Sequence, residues 1–247
     1  MTGEAYELIG RARREGRSSL TEFESKKLLS FYGVPVVEEV IVDSEGEAVA
    51  RSVNIGFPVV LKGLGAKLTH KTERGLVRLN LKSEDEVRSA YGAIKKSSAE
   101  DWEGCLVQPF IKGKREFVAG LLQDAQFGAI VMFGLGGIFT EAIGDVTFRI
   151  APLTEKHVQE MLDELAARKM LGTFRGEAAA DRNQLMKVLM GLSRLGIENP
   201  EIKEVDINPL IIMPNGCVKA VDALVVLDGS NVPCERVKQR EDEMACE

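Results

Sequence analysis

Residues 201–227 read EIKEVDINPLIIMPNGCVKAVDALVVL, and the fold turns on how this stretch doubles back. Aliphatic and β-branched residues fill both halves, and Pro214-Asn215-Gly216 breaks them, the pattern of two strands joined by a tight turn. Asp206 and Asn208 stand two apart, so they project from one face of the first strand. Whether Asp222 joins them depends on the turn. A two-residue Asn215-Gly216 loop sets Asp222 opposite Pro209, on the wrong face. A three-residue loop with Gly216 left-handed at a bulge sets Met213 opposite Cys217, and Asn208 then faces Asp222 directly. In that register three oxygen-bearing side chains meet. Such a set suits Mg2+, which takes a few carboxylate or amide oxygens and fills its other positions with water and phosphate. The alternative is a plain solvated hairpin face. The adjoining Ile207, Leu210, Ile211 and Val221 weigh against it, because acids without partners avoid apolar surroundings.

The rest of the chain sets the context. It has 247 residues, 45% hydrophobic and 28% charged, enough for one large domain or two lobes. A net charge of -6 argues against a general nucleic-acid surface, which needs a positive excess. Four cysteines and two histidines, with no Cys-x-x-Cys pair, make a structural zinc site a poor expectation. Scattered single thiols point to a reducing compartment, hence a cytoplasmic protein. The N-terminus carries no signal-peptide core. The longest uncharged run, FGAIVMFGLGGIF at 127–139, is shorter than the ~20 residues a membrane helix needs.

Helical and strand-like stretches alternate along the chain. Thr21 and Glu24 form a capping box ahead of a helix that ends at Gly33. Ser44 with Glu47, and Ser83 with Glu86, announce two more. Strand-like runs follow as VPVVEEVIV, FPVVLKG, GLVRLNL, GCLVQPFI, REFVAGLL and FGAIVMF. Two further helices are expected around 155–170 and 181–195, with apolar stripes that pack a core. The expected division is an N-terminal helix over 1–20, a small lobe over 21–109, a larger lobe over 110–228 that holds the hairpin, and a polar tail over 229–247.

One stretch resists a purely structural reading. GAKLTHKTERG at 65–75 sets His70 among hydroxyls and positive charges. It reads as a solvated loop, as a phosphate-binding loop, or as the seat of a transient phosphohistidine. A neutral imidazole, the main form at pH 7 for a group of pKa about 6.5, can attack phosphorus directly. Lys67, Lys71 and Arg74 would keep it neutral. His157, at a helix start, reads as surface.

These pieces, with LTEFESKKLLSFYGVPV, LVQPFIKGKREFVAGLLQDAQFGAIVMFGLGGIFTE, DVTFRIAPLT and EVDINPL, resemble the ATP-grasp superfamily in order, from about residue 20 to 228. The nearest branch is the nucleotide-binding β subunit of ADP-forming acetate–CoA ligases (acyl-CoA synthetases), related to succinyl-CoA synthetase. The resemblance implies an α/β (α+β) ATP-grasp fold with ATP or ADP and Mg2+ held between two lobes. It implies that Lys62 contacts the nucleotide phosphates, that Gln108 to Ile111, including Phe110, frame the adenine, and that Glu116 holds the ribose. Asn208 and Asp222 match the magnesium ligands, with Asp206 at the metal or one layer out. Arg149 is expected to clamp the transferring phosphoryl group. Succinyl-CoA synthetases usually carry glutamate at the Gln108 position and a glycine-rich stretch at the His70 loop, so both are departures from that branch. The implied reaction is acyl-CoA + ADP + phosphate ⇌ acid + CoA + ATP. It would use a CoA-binding α subunit with its own phosphohistidine, in an α2β2 assembly. Two rivals remain open: a free-standing ATP-grasp ligase joining a carboxylate to an amine, and a nucleotide-sensing module without chemistry.

Overall fold

The structure, a computed structural model, describes residues 3–65, 75–98, 102–137 and 144–228. It builds two hydrophobic cores. The smaller contains Val42, Val59, Leu61, Val87, Ile94 and Val107. It lies between helices α3 (Glu45–Ile55) and α4 (Glu84–Ser97) and a four-stranded sheet of β1 (Val40–Val42), β2 (Val59–Leu64), β3 (Val77–Leu81) and β4 (Gly104–Pro109), in the order β1-β4-β2-β3. Ser44 and Ser83 accept from the backbones of Glu47 and Glu86 to start the two helices. Gly56 closes α3 at φ 88°, a conformation glycine adopts without a Cβ penalty.

The larger core joins both ends of the chain. Strands β5 (Arg115–Asp124), β6 (Gly128–Leu135), β7 (Val146–Ile150), β8 (Ile202–Ile212), β9 (Val218–Ala220) and β10 (Ala223–Leu227) form a six-stranded sheet. It runs β10-β8-β5-β6-β7, with β9 pairing β8. Helices α5 (Glu155–Glu164) and α6 (Arg182–Glu198) cover one face; Leu185, Val188, Leu189, Leu192 and Leu195 of α6 are fully enclosed. The single helix expected around 155–170 stops at Glu164, because Leu165 turns extended (ψ 134°) before a 3-10 turn over Ala166–Leu171.

Helices α1 (Gly3–Arg14) and α2 (Glu22–Phe31) also belong to this larger core, through Leu8, Ile9, Leu28 and Leu29. Burying each leucine of α2 contributes about 1.5–3 kcal/mol, and both are spent on the larger lobe. The expected boundary at residue 21 therefore shifts. The smaller core begins at Val42, and α2, started by the full Thr21–Glu24 capping box, sides with the chain's second half. None of the described helices is long and apolar enough to cross a membrane.

Candidate active site

The hairpin adopts the three-residue register. Gly216 sits at φ 88° and donates to Met213 O at 2.9 Å, while Met213 N–H donates to Cys217 O at 2.8 Å. Leu210 pairs with Ala220, and Asn208 N–H reaches Asp222 O at 3.3 Å. The same pairing runs on through Ala223 with Ile207 and Leu224 with Asp206. Val205, Ile207, Ala223 and Val225 all enter the larger core. Asp206, Asn208 and Asp222 therefore share the opposite face, with Glu204 two residues further along β8. Burial, then Glu204 and Asp222, pushes the Asp206 carboxyl above its usual range. Crowded oxygens on one face fit a hard divalent cation.

The smaller sheet supplies the facing wall. Val59, Leu61, Cys105 and Val107 fill its core, so Lys62 and Gln108 point away from it. Lys62 Nζ, enclosed in the protein, donates to Glu22 Oε1 at 2.5 Å and to Val221 O at 3.2 Å, and lies 3.7 Å from Asp222 Oδ2. Burial works against its charge, but Glu22 and Asp222 outweigh that and raise its pKa. Lysine and hairpin thus meet across the two lobes.

Beneath them lies a cluster that the sequence reading missed. Lys26 donates to Glu22 Oε1 at 2.9 Å, to Gln108 Oε1 at 3.0 Å and to Val221 O at 3.2 Å, and it pairs with Glu39. Burial pushes the Glu39 carboxyl up, against the pull of Lys26. Glu39 Oε1 and Gln108 Nε2 are enclosed with no hydrogen-bond partner among the described residues. Glu22 and Lys26 stand four apart on α2, a spacing that on sequence alone reads as a surface helix pair.

The remaining expected residues divide. Phe110 and Ile111 are half-buried where the chain returns to the larger lobe; Phe110 N–H donates to Pro58 O at 2.9 Å, which ties this return to the start of β2. Glu116 is half-buried on β5 opposite Ile211, and its carbonyl accepts from Gly136 at 2.8 Å. A side chain at Gly136 would meet the backbone of Glu116 and Phe117 at 2.8–2.9 Å, so only glycine lets the β6 end lie this close to Glu116. Arg149 is corrected. It pairs with Val131 of the larger core and donates to Glu164 Oε1 at 2.5 Å, with Glu160 at 3.7 Å. Strand parity turns it toward α5, on the face opposite the hairpin acids. His70 lies outside the described residues. His157 caps α5, exchanging bonds with Thr154 at 3.2–3.3 Å.

On the hairpin face, beyond Asp206 and Glu204, Leu122, Phe148 and Ile150 are exposed. Leu122 pairs with Ile130, Ile130 with Ile150, and Met132 with Phe148, so they form one apolar patch next to the acids.

Comparison with known proteins places this geometry. The model of the ATP-grasp domain matches residues 11–227. The β subunit of acetate–CoA ligase [ADP-forming] I of Pyrococcus furiosus is 39% identical over 229 residues, which cover 90% of this chain and 97% of that one. Among solved structures, acetyl-coenzyme A synthetase 1 of Ca. Korarchaeum cryptofilum in complex with coenzyme A and Ca-AMPCP superposes with a TM-score of 0.86 at 44% identity, covering 91% of this chain and 100% of that chain. A second structure of that enzyme, with Mg-AMPPCP and a phosphohistidine segment pointing towards the nucleotide binding site, gives a TM-score of 0.80 at 43% identity over the same shares. A chain whose two lobes bring a buried lysine against an acid-bearing hairpin, and which matches these proteins over nine-tenths of its length, belongs to the ATP-grasp family, alongside the β subunits of ADP-forming acetate–CoA ligases.

Proposed function

We propose that this chain is the nucleotide-binding β subunit of an ADP-forming acetate–CoA ligase and that it moves a phosphoryl group between a partner subunit's phosphohistidine and Mg-ADP. The observation that carries the reading is Lys62 at 3.7 Å from Asp222, one from each lobe, where a diphosphate and its metal would lie. Asn208 and Asp222 would hold magnesium, with Asp206 beside them. Magnesium supplies charge neutralisation on the phosphate oxygens. Lys62 contacts those oxygens, the 108–111 crossing borders the adenine, and Glu116 takes the ribose.

His70 is the proposed relay. An imidazole nitrogen attacks the phosphorus carried by the partner's phosphohistidine, forming one N–P bond as the other breaks. A terminal β-phosphate oxygen of ADP then displaces His70, which leaves as neutral imidazole, and ATP is formed. The partner is a CoA-binding α subunit, in an α2β2 assembly in the cytoplasm. The related Korarchaeum enzyme, solved with coenzyme A and with a phosphohistidine segment, supports a partner of that chemistry.

The test is turnover of the reconstituted complex with His70→Ala, alongside Mg-ADP titration of the same variant. Turnover should vanish while binding stays near that of the parent chain. Turnover close to the parent's would remove the relay, and loss of binding would recast His70 as a phosphate ligand.

A further inference from the structure

Lys26 is almost wholly enclosed, its side chain 2% exposed. Burying an ammonium costs several kcal/mol, and an apolar side chain of like volume is often as stable or more so. The charge at this position is therefore explained by what it holds in place. The chain leaves the larger core after Val36, enters the smaller at Val40, and returns between Val107 and Phe117. Glu39 lies on the outward crossing and Gln108 at the start of the return. Lys26 binds both. Its own helix is fixed in the larger core by Leu28 and Leu29, so one ammonium ties both crossings to the larger lobe.

Glu22, one turn earlier, extends the tie to Lys62. Its Oε1 is shared, 2.9 Å from Lys26 and 2.5 Å from Lys62, and Val221 O lies 3.2 Å from each. The two acids near Lys62 differ. The Glu22 side chain is 4% exposed and locked between two ammoniums, whereas that of Asp222 is 45% exposed on the hairpin face. Asp222 can turn to a metal; Glu22 stays with the lysines.

We infer that Glu22 and Lys26 are positioning residues of the nucleotide cleft: without touching the nucleotide, they anchor the crossings to α2 and thereby hold Lys62 where the phosphates arrive. The inference rests on the reading of Lys62 as the phosphate contact.

A double-mutant cycle tests it on the full chain, with Mg-ADP affinity measured by calorimetric titration. Lys62→Met and Lys26→Met should each weaken binding about tenfold, the worth of a lost charged hydrogen bond. Because Lys26 acts through Lys62, the double variant should bind within about threefold of Lys62→Met alone. Full multiplication of the two losses, or a loss under about twofold in Lys26→Met, overturns the inference while the nucleotide site stands. Unchanged binding in Lys62→Met defeats the phosphate reading and the inference with it. Should Lys26→Met not fold, the isosteric Glu22→Gln runs the same cycle with the same expected outcomes.

Discussion

Arg115 and Lys62 are both buried cations in this chain, and their partners set them apart. Arg115, 1% exposed, uses all five of its N–H groups: one on Glu177 and four on the carbonyls of Met170, Gly172, Ala178 and Met213. Backbone carbonyls cannot leave, so this cation is held for good. Lys62 has only one backbone carbonyl, that of Val221, and otherwise rests on two carboxylates, of which Asp222 stands half in solvent. Burial of charge alone does not mark a functional group. What marks it is a partner that can be exchanged.

That contrast predicts opposite signatures, and the largest effect belongs to the static site. Arg115→Met strands four carbonyls and Glu177, and should cost about 3–5 kcal/mol of stability, read by chemical denaturation. Mg-ADP affinity at low temperature should be unaltered. A fall in affinity at constant stability would erase the distinction between the two cations. Asp222→Asn should do the reverse: a melting temperature near that of the parent chain, but a thermal shift with ADP that no longer grows when Mg2+ is added. Equal loss with and without metal would show that Asp222 does not act through the cation.

A third cation centre lies between the two in consequence. Burial raises the Glu24 carboxyl, yet hydrogen bonds from Arg17, the Thr21 backbone and Arg11 overcome it and hold the pKa at about 2. A depressed folded-state value contributes stability above the ordinary glutamate value of 4.5 and loses it as pH falls toward 2. Glu24→Gln should therefore flatten the stability–pH curve across that acid window and lower stability near neutrality. An unchanged slope would mean that other carboxylates dominate. The smallest effect is assigned to Arg149→Met. This ion pair with Glu164 is open to solvent, so the change should cost under about 1 kcal/mol and leave nucleotide binding and turnover untouched. Lost turnover would return Arg149 to the phosphoryl group.

How much of this was readable in advance follows from the range of the forces. The hairpin register is local: Asn215-Gly216 leaves two loop lengths open, and in the three-residue loop counting five residues out from Met213 and Cys217 places Asn208 opposite Asp222. Lys62 was named only through the resemblance of its VVLK stretch, because β2 is buried at every position and shows no polar alternation of its own. Arg149 misled because strand parity is invisible until one knows which face the helices cover. Glu22 and Lys26 were hidden for a different reason. A Glu–Lys pair at i and i+4 looks the same whether it meets water or Gln108 across 82 residues of sequence. The side of α2 was likewise a long-range matter, decided by the core that Leu28 and Leu29 join.

The shared carbonyl of Val221 has a consequence for how the molecule is made. Lys26 meets it across 195 positions of sequence, whereas the smaller core draws its described members from Val42 to Val107. During synthesis that core can close while the second half of the chain is still being added. α1 and α2 must wait, their apolar faces uncovered, until β8 and β10 arrive, because loop closure over such a span comes late. The cleft is thus finished by its last strands, and a chain stopped before Val221 would carry Lys62 and Glu22 without the carbonyl and acid that complete their setting.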